Sequence, residues 1–461
     1  MYAILVLLVL IAIGACWHRL NRALYQDAFA PLNLLFYFWT APFLLSLANL
    51  SGLQTGLEAN AIAVIVLVTL VLLMTCLLPS ICGVRQRPRL LEFQEYRVTV
   101  VKPAGIVSFY ALTIVALYFA EFSGHDLPLW LYLLGDVSDS NLHVVGKDNK
   151  LQVIAFGIHA AAIFTFYLWL NEKRRLRRMG YLILSVLVIA IGLVKASKSD
   201  IFIPLLSYGG LVYYHYHNSR LSNRETRRVV YQRLPRKYKI IALLTLLLAV
   251  SITSIRLQGV GLSGGYASLI EFQYSEELGV IGSELASIVY GYTALGFQNF
   301  SNYINTHEVV FRVGTSLFRP VLSAMMLGDY ADSIGVPVDS WNVVSAAANT
   351  GTFLTPLYIE GGVLFCLLGA LVYGCLVNFV YIGFRSGRSA TWMFAYISLL
   401  FPWTWLFFTN AFSVLSIYVN LFYVGMLGWL FVSEKRRHLG VAVPVVADLR
   451  GIQNSDPHRL V

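Results

Sequence analysis

Three observations predict an all-α, polytopic integral membrane protein. Hydrophobic residues make up 57% of the 461-residue chain and charged residues only 13%, which is too apolar for a soluble protein of this length. The apolar residues gather in runs long enough to cross a bilayer, and these runs are continuous rather than alternating, which favours helices over a barrel. One polar stretch of about 95 residues, 256–350, interrupts the series.

The apolar runs predict about eleven transmembrane helices, of which the first and the sixth are near the lower limit of spanning length. The predicted segments are 2–16, 31–50, 61–82, 103–122, 151–170, 179–194, 201–216, 240–255, 353–383, 391–409 and 412–432. They divide the chain into eight N-terminal helices (1–255), a large loop (256–350), three C-terminal helices (351–436) and a tail (437–461).

The distribution of charge predicts the orientation. If the N-terminus lies outside and the C-terminus lies inside, the inner links and the tail hold 27 of the 34 Lys and Arg residues, as cytoplasmic segments of membrane proteins do. The formal net charge of +10 then follows from topology, and we expect no nucleic acid partner. The basic run 220–239 is expected to touch anionic lipid headgroups.

Neither a metal nor another cofactor is expected. The five cysteines lie in or beside predicted helices, without the C-x-x-C spacing of a zinc site and without a disulfide framework in the outer loops. The chain also lacks the Asp-x-Asp pair with which nucleotide-sugar transferases commonly hold a divalent ion.

Only seven basic residues fall on the outer face, and five of them lie near the polar loop or in one tight link between helices. Ammonium and guanidinium groups at the headgroup level suit phosphate oxygens, so all five are candidates for binding phosphate. The alternative is that they extend to the interface or pair with neighbouring acids. The five are Lys195 and Lys198 in the link 195–200, Arg256 after a predicted helix, and Arg312 and Arg319 in the loop.

The segment 279–297 of the loop is too polar to span a bilayer and too apolar to lie free in water. It predicts a helix that lies in the membrane interface or folds back onto the protein. Four glycines between 259 and 265 indicate a flexible turn ahead of it, as in a lid. Loop tyrosines such as Tyr266, Tyr290 and Tyr292 are suited either to stacking on sugar rings or to marking the interface.

Several short motifs of the second half resemble those of a known family. The link 195–200 before the run 201–216 resembles a small basic turn ahead of a Leu/Tyr-rich helix. The block 290–300, followed by 314–320 (GTSLFRP), resembles a Tyr-x-x-Gly segment and a Gly-Ser/Thr-Phe-x-Pro element. The stretch 349–362 (NTGTFLTPLYIEGG) is similar to an Asn-x-x-Thr-Phe and Tyr-x-Asp-Phe-Gly signature that opens a long helix.

With these motifs, which cover about 180–435, the chain resembles the Wzy family of bacterial O-antigen and oligosaccharide repeat-unit polymerases. It departs from the family pattern at Glu360 and Gly361, which replace the Asp and Phe of the signature, and at Lys198, where some members carry Arg. The charge at Glu360 is kept, whereas bidentate phosphate binding at Lys198 is lost.

The resemblance implies a GT-C-like fold and glycosyl transfer at the outer face of the bacterial inner membrane. A glycan on undecaprenyl pyrophosphate is transferred to the terminal sugar of a second lipid-linked repeat unit, and the pyrophosphate carrier leaves. A chain-length regulator is the implied protein partner, and membrane lipid is the surrounding medium.

Such a transfer needs a base for the acceptor hydroxyl and fixed positive charge for the leaving pyrophosphate. The five basic residues can supply the charge without a metal. Glu360 is the most notable carboxylate, because a charge near the end of a spanning helix is costly unless it is paired or functional. Asp200 is expected to cap its helix or to pair with Lys198. The candidates for the base are His307, Glu360, Glu271, Glu277, Glu276 and Glu284.

Three other functions are open at the level of sequence. An O-antigen ligase would use the same donor and differ only in its acceptor. A transporter or flippase for lipid-linked glycans would be expected to show paired repeats and charges buried within helices, and the sequence shows neither. A scaffold without chemistry would leave the clustering of outer basic residues unexplained.

Overall fold

The computed structural model describes residues 27–82, 95–123, 151–195, 197–221, 265–273, 275–306, 351–386 and 389–438, with single positions between 318 and 333. The described chain is mostly helical, as predicted. Its helices are α1 (consecutive stretches Pro31–Leu35, Phe36–Thr40 and Ala41–Ser46), α2 (Ala59–Ile81), α3 (Pro103–Leu117, then Tyr118–Phe122), α4 (Leu151–Ala155 and Ile158–Asn171), α5 (Arg175–Val194), α6 (Lys198–Leu221), α7 (Gly265–Leu269), α8 (Ser275–Thr306), α9 (Leu354–Arg385), α10 (Ala390–Thr404) and α11 (Leu415–Phe431).

Nine of the eleven predicted segments fall on described residues, and each of them contains a helix. The other two, 2–16 and 240–255, lie outside the described residues. Among the described helices, five are long and apolar enough to cross a membrane, as a membrane-embedded protein requires. They are Ala59–Pro79, Pro103–Ala120, Leu151–Asn171, Arg175–Val194 and Leu354–Arg385.

The long helix α9 packs most extensively on α2 and also contacts α10, α8 and α1. Small residues permit this approach: a side chain at Gly374 would collide with Thr75, and the Asn378 Nδ2 donates to the Gly374 carbonyl at 2.8 Å. The α1 helix joins the same core, where the Trp39 Nε1 donates to Thr69 Oγ1 at 2.8 Å. The apolar core therefore runs through helices from both ends of the sequence.

The fold also contains a two-stranded antiparallel sheet that the sequence analysis did not predict. Strand β1 (Glu95–Val101) pairs with β2 (Val432–His438) from Glu95 opposite His438 to Val101 opposite Val432. The sequence of β1, EYRVTVV, is rich in the β-branched residues that favour strands, but it lies in a link between two predicted helices for which no strand was predicted. Beside the sheet, the Lys102 amide donates to the Phe431 carbonyl at 2.9 Å, which joins the start of α3 to the end of α11.

Contacts between the helix termini define two ends of the bundle. The first, called the loop end, comprises 47–58, 195, 197–200, 265–273, 275–306, 351–360 and 405–414. The second, called the strand end, comprises 27–31, 385–386, 389–390 and 431–438. The predicted site residues whose side chains are described, among them Glu271, Glu360 and Lys195, lie at the loop end.

Candidate functional site

The loop helix α8 runs through the segment in which a folded-back or interfacial helix was predicted. Its backbone leaves helical geometry at Gly279 (φ 65°, ψ 174°), which glycine adopts without the steric cost of a side chain. Beyond this kink α8 packs on α1, on α7 and on the start of α2. A small apolar core that includes Tyr266, Ile288 and Tyr290 lies between these elements.

Hydrogen bonds fasten α8 to the segment between α1 and α2. The Leu50 amide donates to Tyr290 Oη at 2.9 Å, and that hydroxyl donates to Gln54. Further along α8, Ser301 Oγ accepts a hydrogen bond from the Glu58 amide at 2.9 Å. The helix α8 of the polar loop is therefore fixed to the segment between α1 and α2 by hydrogen bonds along its length.

Among the candidate bases, Glu284 has a structural role. Its carboxylate accepts hydrogen bonds from the amides of Tyr266 at 2.9 Å and Ala267 at 3.4 Å, at the start of α7. Amides at a helix N-terminus lack intrahelical partners, and a carboxylate placed there satisfies them. The first turn of α7 is thus held against α8.

Glu271 lies at the surface of the loop end, directly after α7. It is exposed and adopts a positive φ of 51°, which is uncommon for a residue with a side chain. Its carbonyl accepts a hydrogen bond from the Gly52 amide at 2.8 Å, and a side chain at Gly52 would overlap Glu271. The strained backbone fixes the place of this carboxylate next to the α1–α2 connection.

Glu360 is the buried carboxylate of the loop end. It is only 2% exposed, although it lies six residues, or about 9 Å along the axis, from the start of α9. Immediately after it the helix is interrupted at Gly361 (φ −163°, ψ 19°) and Gly362 (φ 61°, ψ −148°). The conformation of Gly362 is one that essentially only glycine adopts, and a side chain at Gly361 would overlap Phe365.

A tyrosine with aromatic and amide partners lies near Glu360. Tyr373 lies within electrostatic reach of Glu360, and its hydroxyl accepts a hydrogen bond from Asn410 Nδ2 at 3.3 Å. The Tyr373 ring stacks on Phe412 at 4.4 Å. Glu360 therefore lies in a largely apolar setting with a few polar groups, the kind of environment in which enzymes place acids and bases.

A charged cluster forms where α5 turns into α6. Lys195 Nζ lies 2.6 Å from Asp200 Oδ2, and His159 Nε2 of α4 lies 3.6 Å from Asp200 Oδ1. The His159 Nδ1 is buried and has no hydrogen-bond partner among the described residues. Asp200 was expected to cap its helix or to pair with Lys198. It pairs with Lys195 in the same link, whereas the Lys198 side chain is outside the described residues, so the pairing with Lys198 stays a prediction.

The local sequence explains the tight geometry of this link. The Asp200 amide donates to Ser197 Oγ at 3.4 Å, so Ser197 caps α6, and Gly192 is small enough to let the start of α6 approach α5. Burial alone would raise the pKa of the Asp200 carboxyl, but the Lys195 ammonium and the His159 imidazole outweigh it. They hold the pKa of Asp200 well below its usual range.

A row of aromatic rings leads from this cluster to the loop helix. Ring centroids are 4.9 Å apart for Phe202 and Trp405, 5.6 Å for Trp405 and Phe408, and 5.4 Å for Phe408 and Tyr292. Tyr292 in turn stacks on the buried Tyr266 at 5.8 Å. These five residues are called the aromatic row. Two of its members, Tyr266 and Tyr292, were among the tyrosines that the sequence suggested for sugar stacking.

Several predicted site residues fall outside the described part of the chain. His307 and the three arginines Arg256, Arg312 and Arg319 are outside it entirely. The backbones of Glu277 and Lys198 belong to the first turns of α8 and α6, whereas their side chains are outside the described set. The Glu276 side chain is also outside the described set. Of the eleven predicted residues, the structure places the side chains of Glu360, Glu271, Glu284 and Lys195.

Within the described residues, no group of three or more His, Cys, Asp or Glu side chains could hold a metal ion. Four of the five cysteines are described, and all four are free thiols: Cys76, Cys82, Cys366 and Cys375. The Lys195–Asp200–His159 cluster offers one carboxylate and one imidazole, with an ammonium group that would repel a cation. The chemistry of this cluster suits anions better than metals.

A second buried charge cluster, not predicted from the sequence, lies at the strand end. Asp27 is 2% exposed, and its carboxylate accepts hydrogen bonds from the hydroxyls of Tyr381 at 2.9 Å and Tyr214 at 3.2 Å. Arg385 Nη1 lies 3.6 Å from the same carboxylate. These four residues are called the Asp27 cluster, and they join the start of α1 to the ends of α6 and α9.

The described residues that sequence reasoning missed have a common property. His159 and Trp405 lie inside or beside apolar runs, where a single polar or aromatic residue gives no signal of its own. Asp27 lies near several basic residues and was counted only as a charge. In each case the signal is a contact with a residue far away in sequence.

The amino-acid sequence matches no protein-family model and no curated protein, and the fold matches no solved structure. The resemblance to the Wzy polymerases therefore depends on the short motifs quoted above. Any assignment of function depends on the chemistry of the loop end.

Proposed function

We propose that this protein is a membrane glycosyltransferase that polymerises undecaprenyl-pyrophosphate-linked oligosaccharide repeat units, as the resemblance to the Wzy family implies. The observation that carries the proposal is the carboxylate of Glu360, which is buried at the double-glycine interruption of α9 at the loop end. A buried carboxylate is costly to maintain, and a helix interruption beside it marks a functional rather than a packing feature.

In the proposed reaction, the acceptor hydroxyl of one repeat unit attacks the anomeric carbon of the sugar on the other. The hydroxyl proton goes to the Glu360 carboxylate, the new glycosidic C–O bond forms, and the bond from the anomeric carbon to the pyrophosphate oxygen breaks with its electron pair on that oxygen. No oxidant, reductant or metal is needed. Glu271 lies at the surface of the same end and is the second candidate for the base.

Positive charge for the departing pyrophosphate comes from the link 195–200 in this proposal. Lys195 is already fixed by Asp200, so its ammonium group is positioned before the substrate arrives. Lys198, Arg256, Arg312 and Arg319 are proposed to complete the phosphate site, and His307 and Glu277 are proposed to line it. A neutral Lys195–Asp200 pair alone would bind a dianion weakly, so these further cations are required.

The proposal includes a GT-C-like arrangement of eleven transmembrane helices in the bacterial inner membrane. The N-terminus and the loop end would face the periplasm, and the strand end and the C-terminus would face the cytoplasm. Charge supports this orientation, because the basic links 173–178 and 220–239 adjoin helix termini opposite to the loop end. A chain-length regulator would bind the assembled enzyme.

One observation favours a second function, a transporter for lipid-linked glycans. Transporters often use interrupted helices whose free backbone groups, together with buried charges, bind the substrate within the membrane. The interruption after Glu360 and the buried Asp27 cluster are features of this kind. A ligase would have the same site as a polymerase and would differ only in requiring a lipid A core acceptor.

The decisive experiment is incubation of the purified protein in liposomes with lipid-linked repeat unit as the only glycan. A ladder of longer glycans on a gel is the expected result and shows polymerisation. Product that forms only when lipid A core is added would show a ligase instead. Movement of intact lipid-linked repeat unit between leaflets, without any longer product, would show a transporter and overturn the proposal.

A further inference from the structure

Three members of the aromatic row, Trp405, Phe408 and Tyr292, are half-buried at the loop end. Trp403 in the core is 1% exposed, and Trp429 on α11 is 81% exposed, as expected of a ring that faces lipid. Trp405, Phe408 and Tyr292 therefore keep part of their ring surface accessible, although Trp405 and Phe408 also pack on the apolar core.

The position of the row is as informative as its burial. At one end, Phe202 follows Asp200 by two residues and packs on Trp405 with a centroid distance of 4.9 Å. Next to Trp405, the Leu406 carbonyl accepts a hydrogen bond from the Phe353 amide at 2.9 Å, seven residues before Glu360. The row therefore lies between the Lys195–Asp200 pair and the start of the helix that carries Glu360.

The ligand class follows from what must lie between these charges during glycosyl transfer. The pyrophosphate belongs beside the cations and the attacking hydroxyl beside the base, so the sugar rings occupy the space between them. One face of a pyranose ring carries mainly C–H groups, which pack well on flat aromatic faces, while its hydroxyls remain at the rim for polar partners. In the row, Phe408 and Tyr292 are stacked at 30°, whereas Trp405 meets Phe408 nearly edge-on at 70°. A sugar would therefore contact the partly exposed surface of each ring rather than one continuous plane.

We propose that Trp405, Phe408 and Tyr292 form a carbohydrate platform on which sugars of the repeat unit stack. The inference rests on the proposed function and assigns the part of the site that selects the glycan. Tyr266 and Phe202 support the two ends of the platform: Tyr266 stacks on Tyr292, and Phe202 packs on Trp405. The platform also joins the loop helix α8 to the α10–α11 connection, so both segments would contact the same bound glycan.

The test compares Trp405→Ala and Tyr292→Ala with the wild type in the liposome assay, with the acceptor concentration varied. Loss of one stacked sugar is expected to raise the KM for the acceptor about tenfold, with kcat changed by less than about threefold. Tyr292→Phe keeps the ring and is expected to recover most of the affinity lost in Tyr292→Ala. Trp429→Ala and Phe422→Ala are matched controls, because both remove an exposed ring far from the row.

Three results would overturn the platform. The first is an unchanged KM in both alanine variants that melt like the wild type. The second is a fall in kcat at constant KM, which indicates a structural effect. The third is a defect that disappears when a short-chain lipid replaces undecaprenyl, which would mean that the row binds the polyprenyl tail.

The failure of the platform can be separated from a failure of the proposed function. If the wild type forms no product, direct binding of the free repeat-unit oligosaccharide is measured by calorimetry. Binding that is lost in Trp405→Ala and kept in Trp429→Ala would support the platform in a non-enzymatic protein. Equal binding in both variants, or none in the wild type, would refute it.

Discussion

Glu360 combines burial with a position next to a backbone interruption, and each property constrains the other. An ionised carboxylate removed from water must gain hydrogen bonds or a nearby charge, or it must take up a proton. Tyr373, which is hydrogen-bonded to Asn410, is a polar group within electrostatic reach of Glu360, and the bent backbone places peptide groups out of the regular helical direction. A carboxylate held in one place by such surroundings is positioned as a general base must be.

The substitution Glu360→Gln keeps the shape of the side chain and removes its capacity to take a proton. We expect the rate of glycan extension to fall by a factor of about 10²–10⁴, the usual contribution of a positioned base. The measurement is the initial rate of ladder formation at saturating substrate. Glu58→Gln, which alters an exposed acid at the same end, is the matched control and is expected to retain the wild-type rate.

An active Glu360→Gln variant would remove Glu360 from the chemistry. In that case Glu271→Gln becomes the next variant to assay, because Glu271 is the other predicted base whose side chain is described and has no capping role. Melting temperatures of all variants must match the wild type for the rates to be compared.

Asp200 allows a prediction about pH. Its folded-state pKa lies below the unfolded-state value of about 4, so its contribution to stability is fully present above pH 4 and is lost as the pH falls towards the folded-state pKa. At pH 7, Asp200→Asn is expected to cost about 1–3 kcal/mol, because Lys195 loses a charged partner. The difference in melting temperature between variant and wild type should shrink below pH 4.

The measurement is thermal unfolding in detergent from pH 3 to pH 8. Glu58→Gln is again the control, and its melting curve should follow the wild type over the whole range. A variant Asp200→Asn that melts like the wild type at pH 7 would show that the pair contributes nothing to the fold.

At the scale of elements, the interruption in α9 depends on Gly362. A side chain in the conformation φ 61°, ψ −148° is expected to cost about 1–3 kcal/mol, so Gly362→Ala either destabilises the protein or straightens the helix and moves Glu360. We therefore expect Gly362→Ala to lose most of its glycan-extending activity at temperatures well below its melting point.

Gly425→Ala, in helix α11, is the matched control for the substitution of Gly362 in α9. No atom lies within 4 Å of a side chain built at Gly425 in α11, and alanine is the better helix former by about 1 kcal/mol. This variant should be as stable as the wild type or slightly more so. Equal activity of Gly362→Ala and Gly425→Ala would show that the interruption is not needed for function.

Elements were predictable from the sequence to the extent that their signal is local. Each described helix of the bundle coincides with an apolar run, because burial in lipid or protein demands continuous apolar residues. The β1–β2 pair was missed because a strand of seven residues in a basic link becomes visible only through its partner. The role of Glu284 was missed likewise, since its capping of α7 depends on how α8 folds back.

The same reasoning explains which residues of the candidate site could be predicted from the sequence. Glu360 was found from its own position, as a charge near the end of an apolar run. The partnership of Lys195 with Asp200 lay within one short link and was open to inference as a pairing with a neighbouring acid. His159 and the aromatic row required knowledge of which helices are neighbours, which no spacing in this chain reveals.

At the scale of the whole molecule, the Asp27 cluster links the helices that meet at the strand end. Asp27 and Tyr381 are 354 residues apart in sequence, and their hydrogen bond joins the segment before α1 to the helix α9. Around it, the Phe29 ring packs on Tyr213 at 5.0 Å and the Tyr396 hydroxyl donates to the Phe29 carbonyl. A buried pair of this kind is costly to break from one side only.

We expect Asp27→Ala to lower the free energy of unfolding by about 3–5 kcal/mol, because it leaves Arg385 without its carboxylate. The double variant with Arg385→Ala should be destabilised by clearly less than the sum of the two single variants. Combining Asp27→Ala with the distant Glu58→Gln should give simple addition. Additive effects for Asp27 and Arg385 would show that the two side chains are not coupled.

The β1–β2 sheet also sets an order of events during biosynthesis. From Val101 to Val432 the ribosome must add about 330 residues, which takes roughly 15–70 s at ordinary elongation rates. Throughout that time β1 has left the ribosome, while the strand that completes it does not yet exist. The sheet can form only after α11 and β2 have been synthesised, so the pairing of its strands is a late event of biosynthesis. A chain that stops before residue 432 would leave an unpaired strand, available to proteases and chaperones, as a mark of unfinished assembly.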